Sequence, residues 1–115
     1  MHHPPFDTLI GHMDEIGLLE GAAPLEAMLA RHGRVERVIC GHLHRAIEVR
    51  FGGSIASTGP SPAHQVCLDF ADDAPAAWSL EPPALRLHAW RAGGHVVTHL
   101  VPIGSFEGPF PFSDD

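Results

Sequence analysis

Apolar residues recur at helical spacing once, between Pro24 and His32, where Leu25, Met28 and Leu29 would share a face. Pro24 suits a first turn that has no use for its missing N–H, and Gly33 suits a left-handed stop, so the spacing predicts a helix over residues 24–32. Val35, Val38, Ile39 and Cys40 then make a short β-branched run closed by Gly41, which reads as a buried strand leaving through a tight turn. Strands are predicted next over 46–51 and 54–57, around a Gly52-Gly53 turn, and over 64–70 after a loop holding Pro60 and Pro62. Residues 72–83, with three acids and three prolines, read as a loop. Residues 85–90 and 95–101 flank Ala92-Gly93-Gly94 and form a second hairpin signal.

The ends are less regular. Pro4 and Pro5 exclude helix at the start and favour an extended or turning segment. The tail, 104–115, carries Pro109, Pro111, Phe106, Phe110 and Phe112, and its aromatic rings are expected to pack on a neighbouring surface of this chain or another. No repeat or linker divides the chain. It is read as one unit over 1–115, with a motif-bearing part over 1–70, a β-hairpin over 84–103 and a Phe/Pro-rich tail over 104–115.

Composition narrows the function. At 44% hydrophobic and 18% charged, 115 residues can bury a core. A formal charge of -7 with no basic block disfavours nucleic acid and anionic lipid as partners unless a bound cation reverses the local sign. No apolar run is long enough for a membrane span, and the start lacks the basic-then-apolar pattern of a signal peptide. Cys40 and Cys67 make no CxxC motif and no disulfide framework, and both are read as buried thiols. The chain is therefore expected to be soluble and cytoplasmic.

Ten histidines are the compositional anomaly, roughly four times the usual fraction. Gly41-His42-Leu43-His44 is the sharpest group: two imidazoles two residues apart on a strand-to-loop exit project similarly, and the glycine lets the backbone come close to a common point. They can bind one metal or two adjacent ones; the plain alternative is a pair of solvated loop side chains. His2-His3-Pro4-Pro5 offers further imidazoles on a stretch stiffened by proline. A tag remnant would be a longer histidine run without Pro-Pro-Phe after it. His12 reads as a surface loop residue, His32 as a helix-end residue favoured by the helix dipole, and His88, His95 and His99 as structural or surface positions in the late strands.

Met1-His2-His3-Pro4-Pro5-Phe6, Ile39-Cys40-Gly41-His42-Leu43-His44, and Ser57-Thr58-Gly59-Pro60 through His64-Gln65-Val66 together resemble, in order and spacing, the later half of the calcineurin-like metallophosphoesterases. The resemblance is to the bacterial branch of class III cyclic-nucleotide phosphodiesterases and glycerophosphodiesterases, and covers about the first 70 residues. It implies that His2 and His42 ligate one metal of a binuclear pair and His44 the other. His3 would lie in the second shell and His64 would face the substrate phosphate. Two divalent cations, Fe, Mn, Zn or Co, would offset the charge of a phosphodiester such as a cyclic nucleotide and position in-line attack.

The family's Asp-x-His, Gly-Asp-x-x-Asp and Gly-Asn-His motifs, which supply the bridging carboxylate, further ligands and the leaving-group acid, do not occur in these residues. No catalytic residue is assigned. The expectation is the C-terminal half of a phosphodiesterase: an α/β fold, part of a four-layer metallophosphoesterase sandwich, mainly its second β-sheet with one or two helices. Alone it would hold at most one metal, weakly, and be inactive. The alternative is a non-catalytic oligomerising remnant or interaction module, since a half-sandwich leaves an apolar face and open edges that favour a homo-oligomer.

Overall fold

The computed structural model describes residues 1–113. Two helices and seven strands are present among them, α1 (Gly11–Asp14), α2 (Ala22–His32), β1 (Arg37–Cys40), β2 (Ile47–Phe51), β3 (Ser54–Thr58), β4 (Gln65–Val66), β5 (Trp78–Ser79), β6 (Ala84–Ala89) and β7 (Val97–Pro102), giving a mixed α/β arrangement of several small sheets. No described helix is long and apolar enough to cross a membrane.

The predicted helix is present as α2 and starts two residues earlier, at Ala22, because a first turn tolerates Pro24 as far in as its third position. It ends where expected: Gly33 takes φ 61 and donates its N–H to the Leu29 carbonyl at 3.2 Å. Strand β3 is the centre of a three-stranded sheet, parallel to β1 and antiparallel to β2. Gly52 and Gly53, at φ 58 and 78, make the tight β2–β3 turn that positive φ at both positions favours. Gly52 is required for a second reason, since a β-carbon there would lie 2.8 Å from the Glu26 carbonyl and from Leu29 Cβ.

Leu29, Phe51 and Ala56 form one core, with Phe6, Leu25, Val38 and Val49 against it, so α2 covers one face of the sheet. A second core, Ile10, Met13, Leu43 and Val66 with Ile47, lies under the 41–44 turn.

Three local expectations change. The 64–70 strand shrinks to β4, which pairs with β5 inside the stretch read as a loop. The single turn α1 went unseen because four residues carry no period; the Asp14 carboxylate builds it, accepting from the Thr8 N–H and hydroxyl and the Leu9 N–H at 2.8, 2.6 and 3.0 Å. Cys40 is buried, whereas Cys67 is only half-buried. The second hairpin forms as β6–β7. Phe106, Phe110 and Phe112, expected to pack on a neighbouring surface, stand largely exposed, and residues 114–115 of that tail lie outside the described residues.

Candidate metal centre

The Gly41-His42-Leu43-His44 segment leaves β1 as a contorted turn. The Leu43 N–H bonds back to the Gly41 carbonyl at 2.9 Å around His42, a γ-turn closure with His42 at φ 72. His44 follows at φ 46. Two non-glycine residues in the left-handed region cost of order 1–3 kcal/mol each, and something must hold them there. Leu43 does so, buried in the second core between them. Behind the turn, Arg45 donates through Nε to the Val66 carbonyl at 2.7 Å, pairs with Glu81, and accepts at its own carbonyl from the Thr58 hydroxyl at 2.6 Å.

Residues 1–2 run alongside β1. The Gly41 N–H donates to the His2 carbonyl at 3.0 Å, and a β-carbon on Gly41 would come within 3.3 Å of His2 Nδ1. This close passage brings His2, His3 and His42 together, each offering one nitrogen within 4.8 Å of the others. His42 Nδ1 lies 3.2 Å from His2 Nε2, while the buried His42 Nε2 has no hydrogen-bond partner. Burial, and after it the charges of His3 and His2, push the His42 pKa down, which favours the neutral, ligating form of the ring.

His44 stands outside this triad and pairs with His64, Nδ1 to Nε2 at 3.2 Å. His64 sits on a loop clamped by Gln65, which accepts the Ser61 N–H at 3.0 Å and donates to the Ser61 carbonyl at 2.7 Å. The structure thus brings together all five sequence-derived residues in two groups, His2–His3–His42 and His44–His64.

Of the remaining histidines, His88 meets the Thr98 hydroxyl at 2.8 Å, His95 meets Glu36 at 3.1 Å, and His32 and His99 are exposed. His12 Nδ1 is buried without a partner. Sequence reasoning missed Trp78, whose ring centroid lies 5.1 Å from that of His64. The available signal was the apolar-polar-apolar alternation of Trp78-Ser79-Leu80, masked by the prolines around it.

No family model matches the chain. It is 40% identical over 115 residues to a probable glycerophosphodiester phosphodiesterase GpdQ of Arcobacter nitrofigilis, covering all of this chain and 42% of that protein. A glycerophosphodiester phosphodiesterase GpdQ of Enterobacter lignolyticus is 27% identical over 114 residues, 99% of this chain and 40% of the relative. A probable cyclic nucleotide phosphodiesterase of Rhodopseudomonas palustris is 38% identical over 82 residues, 71% of this chain and 30% of the relative. The chain is homologous to part of these metallophosphoesterases. It spans less than half the length of the metallophosphoesterase relatives it matches. The segments that carry the metallophosphoesterase resemblance, 1–6, 39–44 and 57–66, are those that meet at the histidine groups.

Proposed function

We propose that the chain carries the histidine-rich part of a metal-dependent phosphodiesterase centre acting on cyclic nucleotides or glycerophosphodiesters. The observation that carries this reading is the pair of imidazole groups, His2–His3–His42 and His44–His64, set on either side of the buried Leu43. In this reading His2 and His42 hold one divalent ion and His44 the second. His3 lies beside the first and His64 reaches the substrate phosphate. The donors fit a first-row transition ion: they are three imidazoles, each offering one nitrogen within 4.8 Å of the others. Such ions, when bound, supply positive charge that offsets that of the phosphodiester.

The chain's own residues orient the site. Leu43 holds the two strained histidines apart, Gln65 fixes the loop of His64, and Arg45 locks the turn to β4. The fold reading that accompanies this is a part of the four-layer metallophosphoesterase sandwich, mainly its second sheet, in a soluble cytoplasmic protein.

Because no carboxylate joins these histidines among the described residues, the pure chain should bind no more than one divalent ion and turn over no substrate. Metal analysis after dialysis, with hydrolysis of bis(4-nitrophenyl) phosphate, tests this. A chain that retains no metal when offered Mn²⁺, Zn²⁺ or Co²⁺ overturns the metal reading, and turnover overturns the inactivity.

A second reading is a non-catalytic oligomerising module. The outer side of the β6–β7 hairpin favours it: Leu85, Leu87 and Val97 are exposed on one side of the ribbon, with Trp90 and the tail phenylalanines exposed nearby in sequence. A monomer by light scattering at micromolar concentration rejects it.

A further inference from the structure

Trp78 stands on the short strand β5 and is 63% exposed, an unusual place for an indole on a surface that already buries little. Its position relative to His64 follows from the register. Gln65 faces Ser79 and Val66 faces Trp78, so continuing the ladder sets His64 opposite Leu80. His64, Val66, Trp78 and Leu80 therefore belong to one side of the β4–β5 ribbon, and Trp78 is the diagonal neighbour of His64. The rings meet at 5.1 Å between centroids with a 53° tilt, while His64 Nε2 stays 3.2 Å from His44 Nδ1. His64 thus touches a metal-ligating type of side chain and an open aromatic surface at once. Leu80, on the same side, is exposed as well.

The acid that follows β5 is already paired. Glu81, the acid next to β5, is engaged by Ser79 and Arg45, and those two bonds hold its carboxyl below the usual range.

We infer that Trp78 is a specificity-determining residue that stacks the nucleobase of a nucleoside phosphodiester whose phosphate lies at His44 and His64. This rests on the phosphodiesterase reading above and selects within it the nucleotide class. A base carries a π-face that displaces water from the exposed indole, whereas a glycerol arm leaves the indole wet. Stacking a base on an aromatic side chain is lost by alanine substitution to the extent of about tenfold in affinity, within a wide range.

The test uses the full chain loaded with Mn²⁺ and three probes, AMP, glycerol 3-phosphate and phosphocholine, measured by calorimetry. AMP should bind more tightly than glycerol 3-phosphate. Trp78→Ala should weaken AMP about tenfold and leave glycerol 3-phosphate within about twofold, and Trp78→Phe should recover most of the loss. In a Trp90→Phe background, with position 78 untouched, AMP should quench the remaining indole fluorescence and glycerol 3-phosphate should not. Equal losses for AMP and glycerol 3-phosphate make Trp78 a support of His64 only; that result overturns the inference and leaves the phosphodiesterase reading standing. A greater loss for phosphocholine than for AMP also overturns it, in favour of cation recognition. If none of the three probes binds, the inference falls, while metal retention by the same chain still decides the phosphodiesterase reading.

Discussion

Leu43 is 1% exposed and stands between His42 and His44, whose φ values of 72 and 46 lie where a β-carbon is resisted. The leucine contributes more than apolar burial, because its side chain is the anchor against which both histidines are bent. Its core neighbours are Ile10 and Met13 of the α1 segment and Val66 of β4, so truncating it opens a cavity that no single neighbour fills. Leu43→Ala should cost about 2–5 kcal/mol of stability in urea unfolding. The same variant should also bind divalent metal more weakly at concentrations where it remains folded, because the turn relaxes toward ordinary backbone. A variant with lost stability and unchanged metal affinity would separate the two roles and show that the turn holds itself.

Among the elements, α2 and both hairpins were legible because each rests on local signals: three apolar residues at helical spacing with Gly33 after them, and glycine pairs where the chain reverses. The β4–β5 pair was not, since it joins residues 65–66 to 78–79 across an acidic, proline-containing excursion, and two-residue strands carry no period. For the site, the sequence motifs pointed to His2, His3, His42, His44 and His64 through a family resemblance, but the contact of Trp78 depends on a distance that spacing does not encode. The β6–β7 hairpin also contains a histidine with a stability consequence. Burial, and after it the charges of Arg86 and Arg37, lower the His88 pKa below its ordinary 6.5. Above 6.5 the ring is neutral folded and unfolded, so it contributes no pH dependence there. Below 6.5 the unfolded chain takes up the proton first, and stability falls with acid until the folded-state value is passed. Thermal unfolding between pH 7.5 and 5 should therefore show a component that His88→Gln removes; an unchanged slope in that variant assigns the loss to other groups.

The whole molecule is a thin slab, 55 × 42 × 19 Å, with a radius of gyration of 16.8 Å where a compact chain of this length would have about 13 Å. A slab has two small cores rather than one large one, and neither includes a residue of the β6–β7 hairpin. Polar groups contribute much of what ties that hairpin on. Arg86 donates to the Thr58 carbonyl at 2.8 Å and to Glu48 at 2.7 Å, and Glu36 accepts the Val96 N–H at 2.7 Å. The contacts to Glu48 and Glu36 reach solvent, contribute little and weaken with salt, unlike the apolar packing under the histidine turn. The ribbon and the frame should then open as separate cooperative units. Native-state hydrogen exchange should find the β6–β7 amides trading with deuterium well before those of β1 and β3, and faster still as salt is raised; coincident exchange would mean a single unit. The polar clasp thus makes the hairpin a timepiece of its own, whose opening leaves the histidine-bearing frame intact.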